Sequence, residues 1–127
     1  MNLADVLVID DDESIRQTLQ LVFSIAGRRV FLAENGNEGL TCLGQGFKGI
    51  VLLDIMMPEL NGWETLAEIV RQNLHRGNVI SMMTAVHDPG PELESLTEVV
   101  IDYLRKPFDG AELIAFMAYL DEIAGCL

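Results

Sequence analysis

The stretch Val6-Leu7-Val8-Ile9-Asp10-Asp11-Asp12-Glu13 decides how the chain is read. Four apolar residues run without alternation, and four acids follow at once. A strand made only of apolar side chains must be covered on both faces, as in a parallel sheet between helix layers. Acids at the carboxyl end of such a strand stand where these sheets hold their ligands.

The same pattern continues along the chain. Ile15, Leu19, Val22, Phe23 and Ala26 recur at helical spacing, and Gly27 ends that helix. Val30-Phe31-Leu32-Ala33 reads as a second strand. Asn35-Gly36 then opens a short helix with Leu40 and Leu43, ending near Gly46. Ile50-Val51-Leu52-Leu53 is a third strand, followed by a loop with Pro58 and Gly62 and a helix carrying Leu66, Ile69 and Val70. Val79-Ile80-Ser81-Met82-Met83 is a fourth strand. Residues 92–99 read as a fourth helix, Ile101-Asp102-Tyr103-Leu104 as a fifth strand, and Leu113, Phe116, Met117 and Leu120 as a fifth helix. This is an α/β chain of five βα units, so a doubly wound parallel sheet with right-handed crossovers is expected. No repeat, linker or low-complexity segment divides it, and a single domain over 1–127 follows.

Composition excludes several classes of function. The 127 residues are 50% apolar and 22% charged, which suits a folded domain. Eight Lys+Arg against twenty Asp+Glu give −12. That balance repels phosphate backbones and anionic membranes, so neither nucleic acid nor membrane is expected as a partner of this domain. No apolar run reaches the roughly 18 residues of a membrane helix. The start, Met1-Asn2-Leu3-Ala4-Asp5, lacks the basic region of a signal peptide. Cys42 and Cys126 match no metal or redox spacing, and a reduced, cytoplasmic location is expected. His75 and His87 stand in polar surroundings and read as surface residues. Trp63, just after Gly62, reads as packing at the start of the third helix.

Four strand ends carry reactive groups: Asp10-Asp11-Asp12-Glu13, Asp54, Thr84 and Lys106. Carboxylates gathered at one point stay ionised only if a cation offsets them. An all-oxygen cluster without His or Cys suits Mg²⁺, or Mn²⁺ in its place. A hard cation beside a carboxylate is an arrangement for phosphoryl chemistry. Lys106 can neutralise a phosphoryl oxygen, and Thr84 can donate a hydrogen bond to another.

These residues resemble the receiver domain of two-component response regulators, of the stand-alone chemotaxis type. The resemblance covers nearly the whole chain. It rests on Val6–Asp11, on Leu53-Asp54-Ile55-Met56-Met57-Pro58 through Asn61-Gly62, on Ser81–Ala85, and on Asp102-Tyr103-Leu104-Arg105-Lys106-Pro107-Phe108. It implies a flavodoxin-like sandwich with strand order 2-1-3-4-5. It implies that Asp54 is the phosphoacceptor and that Asp10, Asp11, Asp54 and the Met56 backbone carbonyl hold Mg²⁺. Asp12 matches no ligand position. Lys106 pairs with Asp54 and then with the phosphoryl group, while Thr84 and Tyr103 form the switch. The Lys106-Pro107 peptide is expected to be cis. The phosphodonor would be a histidine kinase or a phosphotransfer domain. A downstream partner would read the surface of the fourth helix, fifth strand and fifth helix. On this reading the chain is a signalling switch that catalyses only its own phosphoryl transfer and dephosphorylation.

Three other readings fit less well. A haloacid-dehalogenase-type phosphatase wants a second Asp where Met56 stands. A flavodoxin-like FMN binder wants a Ser/Thr/Gly loop where four acids stand. A receiver fold used only for contacts leaves the acids, Thr84 and Lys106 without a purpose.

The chain also departs from the family. Met56 and Val86 are apolar at positions that tune attack by water, so slow loss of phosphate is expected. His87-Asp88-Pro89-Gly90-Pro91 should delay or disturb the fourth helix. The fourth and fifth helices hold no Lys or Arg, which disfavours a charge-paired dimer across that face. From Ala85 to Leu127 nine acids oppose Arg105 and Lys106, leaving −7 and suggesting a partner of basic character. The chain ends soon after the fifth helix, at Ala124-Gly125-Cys126-Leu127, so a stand-alone receiver and a segment of a longer protein are both compatible with it.

Overall fold

The computed structural model describes residues 3–126; Met1, Asn2 and Leu127, which belong to the predicted domain, lie outside the described residues. Five parallel strands, β1 (Val6–Ile9), β2 (Val30–Ala33), β3 (Ile50–Asp54), β4 (Val79–Thr84) and β5 (Val100–Arg105), form one sheet in the order β2-β1-β3-β4-β5. The α-helices are α1 (Glu13–Ile25), α2 (Gly36–Gly44), α3 (Gly62–Arg71) and α4 (Gly110–Ala124). The topology is the one expected. No helix among the described residues is long and apolar enough to cross a membrane.

Alternation along the strands sorts the core into two layers. Leu7, Ile9, Val51, Leu53, Ile80 and Met82 face α2 and α3, packing with Leu43, Leu66 and Ile69. Val6, Val8, Ile50, Leu52, Met83 and Leu104 pack with Leu19 and Phe23 of α1 and Leu113, Met117 and Leu120 of α4. Every residue of β1 and β3 is buried, as an unbroken apolar run requires. The edge strand β5 is buried only at Val100 and Leu104.

The predicted fourth helix over 92–99 is not an α-helix. Only a short 3-10 turn, Glu94–Glu98, forms there, without a side-chain cap. Each proline disfavours helical backbone at the residue before it, Asp88 and Gly90, and the chain enters β5 at Val100 directly after the turn, which leaves little room for an α-helix. Among the described residues the sandwich therefore has four α-helices and one 3-10 turn.

Register brings the four reactive strand ends to one edge. Ile9 pairs with Leu53, Asp54 with Met83, and Thr84 with Arg105. Asp10, Asp54, Thr84 and Lys106 therefore end their strands at nearly one level. A bulge in the β4–β5 ladder leaves Ile101 without a partner and pairs Met82 with Tyr103. Tyr103 thereby shares the sheet face of Met82, towards α3.

Candidate functional site

Asp10 follows β1 and is fully buried. Its carboxylate accepts from the Asp12 N–H at 2.9 Å, and its carbonyl accepts from Arg16 Nη1 at 2.8 Å. Asp12 is spent as the cap of α1, accepting from the Ser14 and Ile15 N–H groups at 2.8 and 3.3 Å. It stands outside the cluster formed by Asp10, Asp11 and Asp54. Asp11 is exposed. One carboxylate oxygen each from Asp10, Asp11 and Asp54 lies within 4.8 Å of the others.

Asp54 ends β3 at 5% exposure. The loop after it turns back sharply: the Gly62 N–H donates to the Ile55 carbonyl at 2.7 Å. A Cβ at Gly62 would collide with the Asp54 carbonyl oxygen, so only glycine lets α3 begin against the site. Asn61 and Glu64 close a capping box there. Met57 is buried, whereas the Met56 side chain is 58% exposed beside the site.

Lys106 bridges the buried acids from β5. Its ammonium donates to Asp10 Oδ2 at 2.7 Å and to Asp54 Oδ1 at 3.3 Å. The Lys106 N–H donates to the Thr84 carbonyl at 2.7 Å, fixing the start of the following turn, and Lys106-Pro107 is cis as expected. Burial pushes the Asp54 carboxyl up to about 7, and the Asp10 charge adds to this while Lys106 opposes it. Burial pulls the Lys106 ammonium down, but its hydrogen bond to Asp10 and the charges of Asp10 and Asp54 outweigh that, and the net direction is up.

Thr84 and Tyr103 stand apart from this cluster. The Thr84 hydroxyl donates to the adjacent Ala85 carbonyl at 3.2 Å, not to Asp54. Tyr103 is 41% exposed, its ring centroid 6.3 Å from that of Trp63. Trp63 is buried, as expected, and its indole N–H donates to the Pro89 carbonyl at 2.8 Å. His87 is exposed as expected, whereas His75 is half-buried with its Nδ1 out of solvent.

Three carboxylates and one ammonium leave the cluster strongly negative. The donor set is all oxygen, with no His or Cys in it. A small hard dication fits this set, and it would stabilise the Asp54 carboxylate that burial and the Asp10 charge disfavour.

The chain matches the response regulator receiver domain family over residues 6–118. It belongs to that family. Among solved structures it is similar to a CheY-like receiver domain protein from Methanospirillum hungatei JF-1, with TM-score 0.94 and 36% identity over 97% of this chain and 98% of that one. It is also similar to chemotaxis protein CheY4 of Vibrio cholerae, with TM-score 0.78 and 27% identity over 94% of this chain and 99% of that one. Among curated proteins it is 39% identical over 114 residues to the transcriptional regulatory protein CpxR homolog of Haemophilus influenzae, covering 89% of this chain and 48% of that protein. It is 36% identical over 115 residues to a probable transcriptional regulator, ycf27, of Porphyridium aerugineum, covering 91% and 47%. The chain spans about half the length of the curated relatives it matches first. It is thus a receiver domain of the kind found in response regulators of two-component systems, a family that implies a histidine kinase partner and a downstream effector. Receiver domains generally bind Mg²⁺ at an acidic pocket, and here the Asp cluster occupies that place.

The sequence pointed to Asp10, Asp11, Asp54 and Lys106, which the fold gathers at one point. Its reading missed Arg16, which holds the Asp10 carbonyl one helical turn into α1. It also missed the Trp63–Pro89 bond. No short-range spacing signals either contact.

Proposed function

We propose that this receiver is a phosphorylation switch whose phosphoacceptor is Asp54. The observation that carries the reading is the placement of the Asp54 carboxylate, buried near Asp10 and bridged to it by the Lys106 ammonium at the carboxyl edge of the sheet. Asp10, Asp11, Asp54 and the Met56 carbonyl would hold Mg²⁺, or Mn²⁺. The bound cation supplies charge neutralisation for phosphoryl oxygens.

The protein's own groups do the rest. A phosphohistidine of a histidine kinase or phosphotransfer domain enters at the open side beside Asp11 and Met56. Asp54 Oδ attacks phosphorus, the P–N bond to the imidazole breaks, and the imidazole nitrogen keeps the electron pair and takes a proton from water. Lys106 shifts its donation from the Asp54 carboxylate to a phosphoryl oxygen. Thr84 then turns its hydroxyl from the Ala85 carbonyl to the phosphoryl group, and Tyr103 moves inward behind it. The surface formed by the 3-10 turn, β5 and α4 changes, and a protein partner of basic character reads it. Water later attacks the acyl phosphate and resets the switch. The chain thus catalyses reactions on itself alone, and its setting is the reduced cytoplasm.

Acetyl phosphate tests this reading. Wild type with Mg²⁺ gains one phosphoryl group by intact mass, and EDTA or Asp54→Asn abolishes the gain. Absence of labelling in wild type, or equal labelling of Asp54→Asn, overturns it.

A further inference from the structure

Residues 92–99, read from the sequence as a helix, form only the 3-10 turn Glu94–Glu98, and no helix holds residues 85–93 in place. The first turn closes on Asp88, whose carboxylate accepts from the Ala85 N–H at 2.6 Å while its own N–H donates to the Ala85 carbonyl at 3.2 Å. Pro89-Gly90-Pro91 then contributes one N–H in three residues. One tie from this segment to the body of the domain is the hydrogen bond from the Trp63 indole N–H to the Pro89 carbonyl at 2.8 Å.

Trp63 is also placed to sense both halves of the switch. It is 5% exposed, and its backbone follows Gly62, which is seated on the Asp54 carbonyl. Its ring lies 6.3 Å from the Tyr103 ring at 53°. The bulge at Ile101 is what turns Tyr103 to this face. Pro89, its hydrogen-bond partner, lies five residues after Thr84. One side chain therefore touches the segment that follows Thr84 and touches Tyr103, while rooted beside the phosphoacceptor.

We propose that the Trp63 indole is a latch that holds the 85–91 segment and Tyr103 in their unphosphorylated arrangement. The proposal rests on the phosphorylation reading above and adds its regulation. Movement of Thr84 towards a phosphoryl group on Asp54 pulls Ala85 and Val86 with it and draws the Pro89 carbonyl off the indole N–H. Tyr103 loses its neighbour in the same event. The hydrogen bond favours the resting state only, so it opposes phosphorylation by its net worth.

Trp63 is the single tryptophan of the chain, which makes the latch observable. In wild type the indole N–H is protected from hydrogen exchange, and saturation with Mg²⁺ and beryllium fluoride, a phosphoryl mimic, removes the protection. Trp63→Phe keeps a ring against Tyr103 and loses the donor. Its labelling rate by acetyl phosphate rises about 2- to 10-fold, the worth of one neutral hydrogen bond. An indole N–H that stays protected with the mimic bound overturns the latch. So does a folded Trp63→Phe protein that labels no faster than wild type. Wild type that takes no label at all overturns the phosphorylation reading, and the latch with it.

Discussion

At Asp54 the fold sets a carboxylate against its own solvation. Its folded pKa of about 7 exceeds the ordinary value near 4. Between those values the folded state holds a proton that the unfolded state has released. Stability of the metal-free protein therefore falls as pH rises from about 4 to about 7, and the loss is complete above that. Asp54→Asn does not titrate. In EDTA its stability advantage over wild type grows by about 2 kcal/mol between about pH 4 and about pH 8, after allowance for solvent screening. Saturating Mg²⁺ at pH 8 shrinks it. Thermal unfolding of both proteins across this range checks the prediction, and a difference independent of pH contradicts it. Met56 poses a second question at this scale. Its exposed thioether offers water no hydrogen bond beside the acyl phosphate. Met56→Asn shortens the lifetime of phospho-Asp54 several-fold when decay is followed after removal of the phosphodonor. Unchanged or slower decay refutes that role.

At the scale of elements, legibility followed the range of the interactions. Val6–Ile9 and Ile50–Leu53 were readable because burial on both faces leaves an unbroken apolar run. The acids and Lys106 were readable because each ends a strand. The helical reading of 92–99 failed because Leu93, Leu96 and Val99 keep helical spacing while Pro89 and Pro91 disfavour helical backbone at Asp88 and Gly90 and β5 begins at Val100. The bulge at Ile101, which sets the face of Tyr103, depends on pairing with β4 and leaves no mark within β5. The ties between elements were likewise hidden. Arg28 Nη1 and Nη2 donate to Asp121 at 2.9 and 2.7 Å, and Nη1 also donates to the Ala4 carbonyl at 2.8 Å. This links the end of α1, the approach to β1, and α4 across 93 residues. Both side chains are largely buried, so removing one strands the other's charge. Asp121→Ala lowers the unfolding free energy by about 3 kcal/mol, whereas Glu122→Ala, at the exposed neighbour, changes it by less than about 0.5 kcal/mol. Urea unfolding separates the two, and equal midpoints contradict the structural role of the pair.

Across the whole molecule the charge of −12 is unevenly placed. Arg29, Lys48 and Arg76 precede β2, β3 and β4, at the amino edge of the sheet. Asp10, Asp11, Asp12, Glu13 and Asp54 stand at the carboxyl edge. The parallel topology thus converts a sequence-wide excess of acid into a polarised domain whose negative end is the site. A negative end of this kind attracts cations. The most direct measurement is chemical mapping of the phosphorylated residue. Borohydride reduces an aspartyl phosphate to homoserine, which mass spectrometry of peptides locates. After treatment with acetyl phosphate and Mg²⁺, homoserine is expected at position 54 alone. Homoserine at position 10 or 11, or no reduced residue in a protein that has gained phosphate, would contradict the assignment of Asp54.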